Sequence, residues 1–466
     1  MSIYGNAPIT AWTQQSWNLA ACRVPRAWKN GFSGSGVKVG VADDGVDRYH
    51  PDLSNVNTTT SAGPGGASPY PEDSSETHAT AVAGIIGGKG AKEVCGIAYG
   101  CSLVSLKVLA ATGTEAERAQ LYTDAANNQT CDIINNSWGP TDAGGIVSPT
   151  TFQDYLTAFA TCATTGRGGK GILLPFSAGN GYAEQTNAAW DPLQNSRYTI
   201  TVGAINRTLT RSAYSEIGGC LLCCAPGGND GSTDGSEGCV TCQSTVPFGT
   251  SNISLVTTYF NGTSAACPHV SGILALLLER HSTLTWRDCK ELIAQNSRIV
   301  DSGNENWIEN GAGRWYNPEY GFGMLDAALL TWAASSFTPL GTEQTSSFDS
   351  GTVSIPIATD GTIYELTITT VTSTFTMEEA MFTVTFTGDD QTDLSITLVS
   401  PSNTESILVV GTTITTDIGS YTSFPLKAET FRGESSNGIW KAKIKDNVAG
   451  GTQSTLTSYI LELFGH

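Results

Sequence analysis

The chain has 466 residues, with 24 Lys and Arg against 43 Asp and Glu, and its net charge of -19 repels nucleic acid and would attract basic peptides, though acidity that only keeps a secreted protein soluble explains it equally well. Hydrophobic residues are 39% and charged ones 14%, a balance that excludes general disorder and can bury a large core, with a length prior of about three domains.

The longest apolar run, from Ile273 to Leu278, is far below the roughly 18 residues of a membrane-spanning helix, so no membrane segment is expected. Met1-Ser-Ile-Tyr-Gly5 lacks a basic stretch followed by an apolar one, so no signal peptide is expected in this chain. Trp12, Trp17 and Trp28 lie among polar residues in an N-terminal wrap that precedes the first strand. Residues 37–42 are that strand, and it ends at Asp43-Asp44-Gly45. Strand carboxyl ends in an open parallel sheet face the functional crevice, which puts both acids where chemistry would occur. Residues 54–75 are rich in Ser, Thr, Gly and Pro and read as a surface loop. Thr77-His78 then opens a helix of small residues that can pack tightly, and residues 94–99 and 103–109 continue the strand and helix rhythm of a doubly wound α/β sheet.

Residues 132–142 run as a strand into the turn Ser137-Trp138-Gly139-Pro140. A strand exposed there would pair main chain to main chain with an extended peptide. Phe176-Ser-Ala-Gly-Asn180-Gly181 presents a side-chain amide of the kind that can bond an oxyanion. Gly262-Thr-Ser264-Ala-Ala-Cys267-Pro268 leads into apolar residues at helical spacing, with Pro268 expected in the first turn. Ser264 there sits at the positive end of a helix dipole. A serine needs a base, and the base needs an orienting group. His78 and Asp43 supply both, in the recurring triad order Asp, His, Ser. Taken alone, Asp-Asp-Gly is more often a turn and a lone histidine more often structural; their joint occurrence with Ser264 and Asn180 overturns that.

Twelve cysteines, none after position 289, favour an oxidising compartment and disulfides. Cys220-x-x-Cys223-Cys224 and Cys239-x-x-Cys242 also fit a tetrahedral zinc site, with disulfides favoured about two to one. Cys267 is expected to be a small packing residue. The sequons at Asn57, Asn128, Asn206 and Asn252 are compatible with secretion. Beyond a Ser, Thr and Pro containing linker, cysteine vanishes and alternating runs such as Phe382-Thr-Val384-Thr-Phe386 have the period of half-buried strands. The expected division is a catalytic domain at 1–335, a linker at 336–344 and an all-β jelly roll or sandwich at 345–466.

On the Asp43, His78, Asn180 and Ser264 motifs the chain resembles the subtilisin-like serine proteases, and Asp43-Asp44 with Ser137-Trp-Gly-Pro140 narrows this to the kexin and furin branch. Leu398-Val-Ser-Pro-Ser402, Gly438-Ile-Trp440 and Leu463-Phe-Gly465 resemble the P domain of that branch. The resemblance implies that Ser137, Trp138 and Gly139 hold substrate. It places Asp142 and Asp191 in the pocket for the residue before the cut, and directs Asp44 at a basic residue preceding it. It also implies structural calcium, with Asp142 sharing an ion with Glu216 and Asp52 at a second site. The loop of that second site reads Lys89-Gly-Ala-Lys92-Glu93, and lysine cannot ligate a hard cation. The expected function is a secreted, monomeric serine endopeptidase acting on basic peptides or proproteins, at dibasic sites. The rivals are a broad degradative subtilisin and a peptide-binding protein without catalysis.

Overall fold

A computed structural model describes residues 6–8, 10–11, 16–109, 112–140, 145–229, 237–246, 254–388, 391–412, 419–450 and 453–466. Trp12, Asp142 and Asn252 lie outside the described residues.

Six strands, β1 (Lys38–Asp43), β2 (Ser102–Lys107), β3 (Ile133–Asn136), β4 (Leu174–Ser177), β5 (Thr199–Ile205) and β6 (Leu221–Pro226), form one parallel sheet in the order β2-β1-β3-β4-β5-β6. β3 to β6 are buried at nearly every position, which is what a parallel sheet covered on both faces requires. Two apolar clusters flank it. One takes in α1 (His78–Gly87) and α4 (Thr263–Arg280), the other α2 (Glu115–Asn127) and α3 (Gln153–Gly169). The order reverses between β1 and β3, and such a switch point opens a crevice at the strand carboxyl ends.

The small residues of α1 let it press on a hairpin of β7 (Cys239–Cys242) and β8 (Val256–Phe260). A Cβ on Gly84 would meet Cys242 N at 2.6 Å. All twelve cysteines are free and buried, which corrects the expectation of disulfides and removes the argument for an oxidising compartment. The thiols pack as small apolar groups. Cys131 lies against Gly40, Cys101 against Gly87 and Cys242 against Gly84. Zinc at Cys220, Cys223, Cys239 and Cys242 finds no support either, since no such metal-holding group occurs among the described residues. Cys223 lies in β6 with Cys220 just before it, while Cys239 and Cys242 are the two ends of β7.

The C-terminal lobe is a sandwich of two antiparallel sheets. One runs Gln344–Asp349, Thr455–Gly465, Met377–Thr387, Phe424–Ala428, with Ile355–Pro356 added to Thr455–Gly465; the other runs Tyr364–Val371, Gly438–Asp446, Leu394–Val399, Glu405–Val409. Its core does not stop at the lobe boundary. Ile146, Ala178, Ala188, Ala189, Trp190, Cys220 and Leu221 of the α/β lobe join Phe382, Tyr421 and Trp440 in one apolar cluster.

Beside this cluster lies a buried ion network. On α5 (Trp286–Asn296), Lys290 bridges Glu379 and Glu429, Arg287 pairs with Glu378, and Glu291 pairs with Arg314 and Arg432. Arg197 adds bonds to Glu343 and Glu379, and these cations hold the Glu379 carboxyl far below its ordinary range against the effect of its burial. Removing one member of such a network strands its partners in a low dielectric. Lys290→Met is therefore expected to cost about 3–5 kcal/mol, measured as a lower denaturation midpoint.

Candidate active site

Asp43 closes β1, and the register Ala42↔Asn136 sets it beside Ser137, the first residue after β3. Its carboxylate is fully buried and accepts from His78 Nδ1 at 2.9 Å through Oδ2, with Oδ1 at 3.1 Å. Such a contact fixes the tautomer that presents Nε2 to the cleft. Burial opposes the charged ring of His78, but the Asp43 carboxylate outweighs it and, with Asp44, raises the imidazole to about 9. Asp44 has another duty as well. Its Oδ2 and Oδ1 accept from His78 N at 3.0 Å and Ala79 N at 2.7 Å, capping α1 where Thr77 offers no side-chain cap. Burial and the neighbouring Asp43 push its carboxyl up to about 6, against the pull of those two N–H groups.

Ser264 is the second residue of α4. Gly262 precedes the helix with φ 90°, a left-handed conformation that favours glycine, and its N–H donates to the Tyr214 hydroxyl at 2.9 Å. Pro268 falls sixth in the helix, a turn deeper than expected. Having no N–H, it leaves the Ser264 carbonyl without its usual helical donor. Ser137 Oγ donates to that carbonyl at 3.0 Å instead, and Ser264 Oγ donates back to Ser137 O at 3.1 Å. In this rotamer the serine hydroxyl is turned to Ser137, and no hydrogen bond joins it to His78. Catalytic contacts of this kind often tighten only when substrate is bound.

Asn180 follows β4. Its Oδ1 accepts from Thr263 N at 2.8 Å and Thr263 Oγ1 at 3.0 Å, which sets the amide nitrogen as its donor end. Asn180 lines both the cavity holding Ser264 and the one holding His78.

The Ser264 cavity is walled by Ser137, Trp138, Gly139, Val147, Asn187, Asp191, Gln194 and Glu216, among others. The Trp138 ring packs on Tyr155 and Phe176. Asp191 Oδ1 accepts from Leu193 N at 2.8 Å, while Oδ2 accepts no well-formed hydrogen bond among the described residues. Gly139 leaves the room in front of it: a Cβ there would lie 3.4 Å from Oδ2. Burial pushes Asp191 up to about 7, opposed by the Leu193 N–H and the nearby Gln194 amide. Gln194 Nε2 donates to Ser177 O at 3.1 Å, and among the described residues neither its buried Oε1 nor the buried Asn187 Oδ1 accepts a hydrogen bond. Sequence reasoning missed Asn187 and Gln194. Their only signal was proximity to Asp191 in a segment rich in polar residues.

The donor sets for calcium can be tested from what they already bind. Both oxygens of Asp52 are taken by Lys92 N, Glu93 N and Val94 N at 2.7–3.1 Å, so the loop closes on the carboxylate without a cation. Glu216 Oε1 accepts from Gly181 N and Thr186 Oγ1. With its proposed partner Asp142 outside the described residues, no metal-holding group of carboxylates occurs among those described. The Asp52 loop does not fit calcium, and no chemistry is assigned to the ion.

The α/β lobe matches the Subtilase family over residues 34–323, and the chain belongs to that family of serine endopeptidases. Within it the chain falls in the kexin and furin branch, for residues 377–463 match the Proprotein convertase P-domain. It is 29% identical over 476 residues to human Proprotein convertase subtilisin/kexin type 4, covering 98% of this chain and 61% of that one. Human Furin is 28% identical over 478 residues, 97% of this chain and 57% of its own. Furin-like protease 1, isoform 1-CRR, of Drosophila melanogaster is 29% identical over 455 residues, 94% of this chain and 39% of its own. The chain thus spans between two fifths and three fifths of the length of these relatives. Among solved structures, the serine protease of Aeromonas sobria shares the fold across both lobes. Its TM-score is 0.84 at 22% identity, with 100% of this chain and 98% of that one covered.

Proposed function

We propose that this chain is a serine endopeptidase that cleaves peptides and proproteins after Arg or Lys. Ser264 attacks the carbonyl, His78 takes its proton and later gives it to the leaving amine, Asp43 holds the ring, and Asn180 bonds the oxyanion. The reaction requires the Ser264 side chain to turn away from Ser137 O towards the imidazole. Water then releases the acyl enzyme. The catalytic part falls in residues 1–335 and the sandwich in 345–466.

One observation carries the specificity. Asp191, Asn187 and Gln194 line one cavity that opens at Ser264, and each carries a buried side-chain oxygen that accepts no well-formed hydrogen bond among the described residues. One carboxylate and two amide oxygens match a monocation bearing several N–H groups, and a neutral apolar side chain would leave all three unsatisfied. Glu216, in the same wall, already accepts from Gly181 and Thr186. A further basic residue, one place before the first, is drawn by Asp44 through the lone pairs its capping bonds leave over.

Peptides differing only in Arg, Lys, Leu or Phe before the cut, assayed from pH 6 to 9, test this reading. Two titrations set the expected profile. His78 must be neutral to act as a base, and Asp43 keeps it protonated to about 9, so kcat/KM on every peptide should rise with pH across the range. Asp191 must be charged to hold a cation, so KM for Arg and Lys should fall further as pH passes about 7, while KM for Leu does not. Equal turnover of all four peptides would remove the specificity. An Arg profile parallel to that of Leu would remove Asp191 as its source.

A further inference from the structure

The turn that carries Asp191 is held at both ends by the C-terminal sandwich. On one side Trp190 Nε1 donates to the Tyr421 hydroxyl at 2.8 Å, with Trp190 4% and Tyr421 0% exposed. Tyr421 is itself locked in place: its N–H donates to Gln391 Oε1 at 2.7 Å, its carbonyl accepts from Phe386 N, and its ring packs edge-on against Phe424. On the other side Lys427 N donates to Asn195 Oδ1 at 3.1 Å, and Asn195 N donates back to Asp191 O at 3.0 Å. The Lys427 ammonium, fully buried, reaches across to Ser196 O, Thr199 O and Thr201 Oγ1. The opposite rim is tied in as well, since Val147 N donates to Trp190 O at 3.0 Å.

We propose that Tyr421 and Lys427 are positioning residues for the Asp191 carboxylate, so that the sandwich takes part in choosing the residue before the cut. The inference rests on the reading of Asp191 as the acid that binds a basic side chain. A buried carboxylate with one unused oxygen selects a cation only while it is held at a fixed depth and kept from water. The carboxylate itself is held by Leu193 N, and the residues at either end of its turn are reached from the sandwich: Trp190 by Tyr421, and Asn195, which also donates to Ala189 O, by Lys427. Loosening Tyr421 lets the indole and the adjoining acid shift, which weakens the grip on Arg and leaves the reacting groups of Asp43, His78 and Ser264 in place.

The test is Tyr421→Phe in the whole chain, which removes a single hydroxyl, read as kcat and KM on the Arg and Leu peptides. The expected result is a roughly tenfold smaller Arg-to-Leu ratio of kcat/KM, arising in KM for Arg, with kcat on Leu within about twofold. Arg287→Gln, which breaks an interface ion pair on α5, serves as the comparison. It should lower the melting temperature and leave the ratio unchanged. If both variants move the ratio equally, or if Tyr421→Phe lowers both peptides in parallel, the sandwich is only a support and the proposal falls. If the unsubstituted protein does not prefer Arg at all, the failure lies in the reading of Asp191, and it is seen before any variant is made.

Discussion

Replacing Ser264 by alanine is expected to lower kcat by about a millionfold while leaving the fold in place. Among the described residues the hydroxyl makes one hydrogen bond, to Ser137 O, so its loss should cost stability only about 1 kcal/mol. The chemical loss is far larger because nucleophile, base and orienting acid act as a unit. His78→Ala should cost nearly as much as Ser264→Ala, and the double variant little more than either. Asn180→Ala should behave differently, lowering kcat by about 10²–10³ with the nucleophile still present. A fluorophosphonate probe separates the two cases: the Asn180 variant is labelled slowly, and the Ser264 variant is not labelled. Labelling of Ser264→Ala at the rate of the unsubstituted protein would show that the nucleophile is elsewhere. An unsubstituted protein that takes no label would leave the rival of a silent peptide binder.

The second large effect is expected at Asp191→Asn. Removing one partner of a desolvated charge pair costs about 2–5 kcal/mol, so kcat/KM on the Arg peptide should fall by about 30-fold to several thousandfold. The Leu peptide, which makes no use of the charge, should be unaffected or improved. Stability should move the other way. The folded state holds the Asp191 proton up to about 7 against an unfolded value of 3.8, so folding binds extra protons between those pH values and stability falls as pH rises through them. Asparagine removes that loss. Asp191→Asn should melt above the unsubstituted protein at pH 8, and the gain should vanish as pH falls from 7 towards 4. A variant that keeps its preference for Arg would end the role given to Asp191.

Much of this could be read along the chain, for reasons that differ from residue to residue. Asp43, His78, Asn180 and Ser264 each sit in a short motif whose composition is dictated locally, by a strand end, a helix start or a glycine at φ 90°. The alternation of the C-terminal strands gave the sandwich for the same reason. The cysteines misled because count and spacing say nothing of direction, and a buried thiol packs as a small hydrophobe wherever its strand faces the core. Pro268 was misplaced by a turn because the donor that replaces its missing bond, Ser137 Oγ, lies 127 residues away. Asn187 and Gln194 were invisible for a similar cause. What makes them functional candidates is a place in the cavity wall together with buried oxygens that accept no hydrogen bond among the described residues.

The apolar cluster shared by the two lobes also bears on the order in which the protein is made. A nascent chain that has left the ribosome as far as residue 340 already contains Asp43, His78, Asn180 and Ser264. It still shows Ala188, Trp190, Cys220 and Leu221 to water, because the side chains that cover them, Tyr421 and Phe424 included, are not yet translated. Such a half-finished molecule carries an uncovered apolar face. Only once the strands through Thr455–Gly465 have followed is that wall sealed, so the complete cleft forms later in synthesis than the residues that do its chemistry.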